Sequence, residues 1–254
     1  MRILAIDTTT EACSVALYHS KNEASVGSLG SVDNEFDPSH CVGLYEVCPQ
    51  QHSQQILPMI DRLLTANDTK ISDLDAIAYG RGPGSFTGVR IAASTVQGLA
   101  LGANLPVLQI STLATMAQQA YQQSGCKNVI AAIDARMNEV YFAHFSLDTS
   151  KGAVMQPAIE EAVISPEHAL DYIQKQQDNG ANDLAFVGSG FASYADLFAN
   201  CIGQNKADVA YPNAEFLLPL AFNAYISNHQ VLVENVQPVY VRDTVTWKKL
   251  PNKQ

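Results

Sequence analysis

The chain has 254 residues, of which 47% are hydrophobic and 16% charged, a composition typical of a globular protein with a sizeable core. Its formal net charge is −10, because 15 Lys and Arg stand against 25 Asp and Glu. Proteins that bind nucleic acid alone usually present clustered basic residues to the phosphates, and none are clustered before Lys248 and Lys249. The charge therefore argues against independent nucleic-acid binding.

Targeting signals and cysteines indicate the compartment. The first residues enter a strand pattern without the regions of a signal peptide, and no run approaches the roughly 18 apolar residues of a membrane span. The cysteines are odd in number and widely scattered, as is typical of reduced thiols: Cys13, Cys41, Cys48, Cys126 and Cys201. We expect a cytoplasmic protein without a membrane anchor.

The first predicted elements are two strands, 3–7 and 13–17, joined by a polar turn. The same pattern returns at 130–134 and 140–143, and both first strands end in Ala-Ile-Asp. A second pair of apolar strands then runs into glycine, ending at Gly80 and at Gly188. These correspondences predict that the chain is a duplication.

The first half is the longer one, and residues 24–49 supply the excess. This segment is rich in Gly, Ser, Asp, Asn and Pro, so we predict an inserted loop that interrupts a strand meander.

Segments with the apolar periodicity of a helix lie between the predicted strands. The first predicted helix is capped by Ser53 and carries Ile56, Leu57, Ile60, Leu63 and Leu64 on one side. Further helices are predicted at 87–102, 112–122, 166–177 and 216–227. Strands alternating with helices predict an α/β protein, and two similar halves predict a duplicated domain.

A glycine-rich loop follows the strand that ends near Gly80 and opens the second helix. Its spacing matches neither the P-loop nor the dinucleotide fingerprint. A structural turn and a site for an anion or a partner both stay open. The loop residues concerned are Gly80, Arg81, Gly82, Pro83, Gly84, Ser85, Phe86, Thr87, Gly88 and Arg90.

Polar residues at the strand ends are candidates for a nucleotide cleft. In a duplicated nucleotide-binding fold, such Asp residues hold a hydrated Mg²⁺ and the hydroxyl-rich turns hold phosphates. The simpler interpretation is that Asp and Thr favour turns after strands. The candidate residues are Asp7, Thr8, Thr9, Asp134, Arg136, Gly188 and Gly190.

Other catalytic patterns are weak. The spacing of His40, Cys41, Cys48 and His52 matches no usual zinc site, and no His-x-x-x-His pair occurs. Ser85 is not part of a Gly-x-Ser-x-Gly nucleophile elbow.

Four segments, residues 7–16, 52–58, 82–91 and 236–242, closely resemble the bacterial TsaB (YeaZ) family. The resemblance implies a duplicated actin, sugar-kinase and Hsp70-like (ribonuclease H-like) fold of two domains. We expect residues 1–106 to form the first domain, completed by a helix at 214–235, and residues 107–213 to form the second. Residues 236–254 would be a C-terminal tail.

The resemblance also implies a role in forming N6-threonylcarbamoyladenosine at position 37 of tRNAs that read codons beginning with A. In that family the transfer step belongs to the paralogous TsaD subunit, which holds a metal through a His-x-x-x-His pair. The comparable segment here, residues 111–115, lacks those histidines. We therefore expect an accessory subunit with no catalytic residue, no metal and no cofactor of its own, and ATP or ADP only at the complex interface.

The partners implied are the TsaD-like paralogue, a TsaE-like ATPase and a second copy in isolation, with tRNA reached only through the complex. Contact through a four-helix bundle would use the first two helices, whose small residues permit close approach. The predicted interface residues are His52, Ile56, Leu57, Ile60, Leu64, Val89, Ala92, Ala93, Val96 and Leu99.

Two alternatives from the enzyme class stay open. One is a glycoprotease-like or ATP-dependent enzyme that is active alone, and the other is a stand-alone sugar kinase. Turnover by the purified chain without a partner would favour either of them.

Overall fold

A computed structural model of the chain describes residues 1–20, 36–181, 183–202 and 207–242. Ten strands form two sheets. The first sheet contains β1 (Arg2–Asp7), β2 (Ala12–His19), β3 (Cys41–Val47), β4 (Ala76–Gly82) and β5 (Val107–Ser111). The second contains β6 (Asn128–Arg136), β7 (Glu139–Asp148), β8 (Val154–Pro157), β9 (Ala162–Ile164) and β10 (Leu184–Val187).

Seven helices are present in the described residues. They are α1 (His52–Ala66), α2 (Phe86–Ala103), α3 (Thr112–Ser124), α4 (Pro166–Asp178), α5 (Ser189–Ser193), α6 (Ala195–Ile202) and α7 (Ala214–Ile226). Over these ranges, no helix combines the length and apolar character that crossing a bilayer requires.

The first sheet has the order β3-β2-β1-β4-β5, with β1 antiparallel to β2 and parallel to β4. Its central strand, β1, is apolar from Ile3 to Ile6 because both faces are covered. Leu4 and Ile6 join the core under α1 and α2, whereas Ile3 and Ala5 join the core under α7. The alternation of side chains along a strand sends successive residues to opposite cores.

The second sheet repeats this arrangement, since β6 is antiparallel to β7 and parallel to β10. One face packs against α3 and the other against α4 and α6. Both sheets therefore begin with an antiparallel strand pair and continue with a parallel neighbour. The predicted duplicated α/β fold is confirmed.

Helix α7 lies on the first sheet and also packs against α3, which covers the second sheet. It is apolar on nearly all sides, and Leu217, Leu218 and Ala221 are fully buried. A helix in this position between two layers has no polar face to present. It ends at Ile226, so the predicted helix at 214–235 is too long, and extended chain follows it.

Three local predictions are wrong. Part of the predicted loop at 24–49 is strand β3, which pairs with β2 and completes the meander; residues 21–35 lie outside the described residues. Ser53 is not the cap of α1, because Gln51 occupies that position without a side-chain bond. Helices α5 and α6 were not predicted.

Candidate functional site

The turn after β1 is a closed polar cluster. Asp7 Oδ1 accepts hydrogen bonds from the Thr9 amide at 2.9 Å and the Thr9 hydroxyl at 2.8 Å. The Thr8 hydroxyl donates to the Gly88 carbonyl at 2.8 Å, and the Thr112 hydroxyl donates to that of Thr9 at 3.1 Å. All of these side chains are buried. Apart from Asp7 Oδ2, the polar side-chain atoms of this cluster are therefore hydrogen-bonded inside the protein.

The glycine-rich loop covers this turn. Its Ser85 amide donates to the Thr9 carbonyl at 2.7 Å, while the Ser85 side chain caps α2. A Cβ on Gly84 would overlap the Thr9 carbonyl, and one on Gly88 would overlap the Thr8 carbonyl. These glycines are required because two backbones touch. The contact favours the structural interpretation of the loop over an open anion site.

The Asp7 carboxyl is unusual even within this cluster. Its second oxygen, Oδ2, has no hydrogen-bond partner among the described residues and lies against Gly80. Burial raises the pKa of Asp7 from its ordinary value of 3.8 to about 7, although the bonds from Thr9 act in the opposite direction. The protein thus keeps an acid in a place where its charged form is poorly solvated.

These residues do not fit a hydrated Mg²⁺ with nucleotide phosphates. Such an ion needs several oxygen ligands and room for water, whereas the turn at Asp7 is covered by the loop. In the described part of the chain, no group of three or more His, Cys, Asp or Glu side chains is placed to hold a metal.

The corresponding turn in the second domain is open. Asp134 accepts a bond from the Arg136 amide at 3.0 Å and pairs with the Arg136 guanidinium at 3.4 Å, with that side chain 82% exposed. Gly188 and Gly190 pack on the Ala132 carbonyl and not on a ligand-sized space. Their role here is the close packing of α5 on β6.

A polar bridge that was not predicted joins the two domains. Glu161, between β8 and β9, pairs with Arg81 at 3.3 Å and accepts a hydrogen bond from the Ser111 hydroxyl. Arg81 and Ser111 end β4 and β5 in the first sheet. Glu161 belongs to no motif, so the sequence carries no signal for this contact.

Most of the predicted interface residues lie in the core of the first domain. All but Leu57 and Leu99 are buried: His52, Ile56, Ile60, Leu64, Val89, Ala92, Ala93 and Val96. The helical periodicity that selected them marks the face turned towards the sheet. A charged residue at Ile60 or Ala92 would therefore place an unpaired charge in the core of the first domain.

The opposite faces of α1 and α2 form a groove of about 370 Å³, which we call the α1–α2 groove. Leu57 is 54% exposed and Phe86 65% exposed at its sides. The Arg90 guanidinium carbon lies 3.3 Å from the centre of the Phe86 ring. Further along α2, a Cβ on Gly98 or on Gly102 would meet no atom within 4 Å. This face is apolar, partly flat and accessible.

The duplicated pair of α/β domains, each with an antiparallel strand pair and a parallel neighbour, has the actin, sugar-kinase and Hsp70-like fold. The family model described as "TsaD: tRNA N6-adenosine threonylcarbamoyltransferase" matches residues 45–250. The chain therefore belongs to the TsaB branch of this family, the tRNA threonylcarbamoyladenosine biosynthesis proteins.

Individual relatives are similar over their whole length. The chain is 44% identical to the tRNA threonylcarbamoyladenosine biosynthesis protein TsaB of Escherichia coli K12, covering 100% of both. It is 41% identical to the Haemophilus influenzae TsaB, covering 100% of this chain and 99% of that protein. The solved structure of YeaZ from Pseudomonas aeruginosa has a TM-score of 0.76 and 40% identity, covering 94% and 99% of the two chains.

Proposed function

We propose that this chain is a non-catalytic, cytoplasmic subunit of the complex that forms N6-threonylcarbamoyladenosine at position 37 of tRNAs reading codons that begin with A. It docks on a TsaD-like catalytic paralogue and leaves the transfer chemistry and the tRNA contacts to the rest of the complex. The observation that carries this proposal is the exposed, apolar α1–α2 groove.

The groove has the properties of a helix-docking surface. Leu57 and Phe86 supply exposed apolar area, and such anchors dominate association energies. Gly98 and Gly102 leave open space above α2, which lets the backbone of a partner helix approach closely. A four-helix bundle between subunits needs both features. The same surface would serve the homodimer in isolation.

The closed turn at Asp7 supports an accessory role. A kinase-like or ATPase-like mechanism in this fold would use that turn for phosphates, but the glycine-rich loop is packed on it. ATP or ADP would then lie at a boundary between subunits, with a TsaE-like ATPase as the further partner. The net charge of −10 also favours tRNA contacts made by other subunits.

The test is a calorimetric titration of the TsaD-like paralogue with the chain and its Leu57→Asp variant. We expect this substitution to weaken binding about tenfold or more, a loss of about 1.4 kcal/mol or more, because a charge replaces an exposed anchor. Val47→Asp is the matched control, since Val47 is 51% exposed on β3 and does not line the groove. It should bind like the unchanged chain.

A reconstituted modification assay completes the test. Threonylcarbamoyladenosine in tRNA should form only when the paralogue is present, and more slowly with Leu57→Asp. Equal affinity of the paralogue for the unchanged chain, Leu57→Asp and Val47→Asp would contradict the docking surface. Cleavage of a glycoprotein or turnover of ATP by the isolated chain would contradict the accessory role.

A further inference from the structure

The extended segment after α7, residues 231–242, runs along the first domain before it reaches the second. Val231 pairs with Val107 through two backbone hydrogen bonds of 3.0 and 2.8 Å, at the outer edge of β5. The side-chain amide of Gln109 then donates to the Asn235 carbonyl at 3.1 Å, and the side-chain amide of Gln97 on α2 donates to the Val236 carbonyl at 2.9 Å. The start of the segment is thus fixed to both β5 and α2.

The middle of the segment is attached to the base of the glycine-rich loop. The buried Tyr79 hydroxyl donates to the Gln237 carbonyl at 3.0 Å. The Val239 amide donates to the Arg81 carbonyl at 2.9 Å, and a Cβ on Gly82 would lie 3.0 Å from the Val239 carbonyl oxygen. A movement of the loop would therefore be transmitted to the segment.

Tyr240 connects the segment to the α1–α2 groove. Its ring centre lies 6.1 Å from that of Phe86, and the Arg90 guanidinium carbon lies 5.4 Å from the Tyr240 ring centre. Arg90 is also stacked on Phe86, so the three side chains form one cation–π cluster at the end of the groove. Tyr240 remains 48% exposed and extends the surface that a partner helix would contact.

Arg242 ends the segment on the second domain. Its guanidinium forms an ion pair with Glu139 and donates to the Ala135 carbonyl at 3.2 Å. It also lies 3.3 Å from the sulfur of Met137. These residues belong to the open turn between β6 and β7. A single residue, Val241, therefore separates the groove contact of Tyr240 from the interdomain contact of Arg242.

We propose that residues 231–242 form a strap that couples docking in the α1–α2 groove to the position of the second domain. The inference rests on the proposed docking function of the groove. A partner that packs against Phe86 and Tyr240 holds the strap in place. Through Arg242, the strap adds to the α3–α7 packing and the Glu161 bridge that also join the two domains. Because such coupling is reciprocal, loosening Arg242 must weaken docking although Arg242 lies outside the groove.

The first measurement uses the chain alone, with spin labels at Asp61 on α1 and Asp171 on α4, both exposed. We expect a narrow distribution of distances for the unchanged strap and a clearly broader one for Arg242→Ala. Arg136→Ala is the control, because it removes an exposed arginine from the same turn without touching the strap. The double variant Arg242→Glu with Glu139→Arg exchanges the two charges and should restore the narrow distribution of distances.

The second measurement is the affinity of the paralogue for the same variants. Arg242→Ala should weaken binding about fivefold, and the charge exchange should recover most of the loss. An equally narrow distribution in Arg242→Ala, or unchanged affinity beside a broadened distribution, would overturn the coupling. If the unchanged chain does not bind the paralogue, the proposed docking function is wrong. The spin-label distances then still show whether the strap holds the two domains in one relative position.

Discussion

The two β-hairpins of the duplicated fold share an Ala-Ile-Asp strand end, but the turns that follow lie in opposite environments. After β1, Asp7 and Thr9 are buried, and Asp7 Oδ1 accepts hydrogen bonds from both the amide and the hydroxyl of Thr9. After β6, Arg136 projects into solvent, and Arg136, Met137 and Asn138 all have left-handed backbone conformations. One turn is part of the core and the other is a surface feature.

The difference arises from the chain segment that comes after the next parallel strand in each half. After β4, the loop through Gly84 and Gly88 folds back over the first turn. After β10, the chain enters the short helix α5 at once and packs against Ala132 instead. A duplicated strand pair therefore does not imply two equivalent sites, because the connection after the parallel strand, β4 or β10, decides whether the turn is open.

The largest expected effect concerns Asp7. An acid whose pKa is about 7 in the folded chain and 3.8 when unfolded binds a proton on folding. The contribution of Asp7 to the free energy of unfolding is therefore most favourable at low pH and is lost as the pH rises from about 4 to about 7. Relative to Asp7→Asn, the native chain should lose about 4 kcal/mol of unfolding free energy across this window.

Urea unfolding at several pH values measures this difference. Asp134→Asn removes the same charge from the open turn, and we expect its stability to stay within about 0.5 kcal/mol of the native chain. Stability curves for Asp7→Asn and the native chain that run parallel from pH 4 to pH 7 would show that Asp7 is not titrating inside the core.

The next effect tests the contact between the loop and the first turn. In Gly88→Ala, the added Cβ would overlap the Thr8 carbonyl oxygen. We therefore expect the variant to lose about 2 kcal/mol of unfolding free energy relative to the native chain. Gly98→Ala, on the same helix but facing open space, should instead gain about 0.5 kcal/mol from helix propensity. Similar effects of the two substitutions in urea titrations would contradict the close contact.

A smaller effect is expected at Thr112, the first residue of α3, whose buried hydroxyl donates to Thr9. Thr112→Val keeps the shape but removes this bond, at an expected cost of about 1 kcal/mol. Thr65→Val on the exposed side of α1 should be nearly neutral. Thermal unfolding would detect the difference, and equal midpoints would argue that the bond contributes nothing.

The repeated strands could be predicted from the sequence because both faces of β1 and β6 are buried, which produces uninterrupted apolar runs. The edge strand β3 could not be predicted, because Gly43 and the neighbouring Pro38 and Pro49 give it the composition of a loop. Helices α5 and α6 could not be predicted either, since each is too short to show several turns of helical periodicity.

The candidate sites were harder to predict for a different reason. Periodic apolar residues such as Ile60 and Val96 identify the face of a helix that packs inside its own domain. The exposed large apolar residues of α1 and α2 include Leu57, Phe86 and Leu101, and of these three Leu57 alone belongs to the predicted interface. Contacts between distant segments, such as Arg81 with Glu161, have no local signal at all.

The smallest expected effect belongs to the open turn. The ion pair of Arg136 with Asp134 spans 3.4 Å, but the arginine side chain is solvated, so the attraction is screened. In a double-mutant cycle of Arg136→Ala and Asp134→Asn, we expect a coupling energy of at most about 0.5 kcal/mol. A coupling of about 2 kcal/mol would mean that this turn is as strongly ordered as the buried one. The contrast between the two turns would then lie in burial alone and not in the strength of their polar contacts.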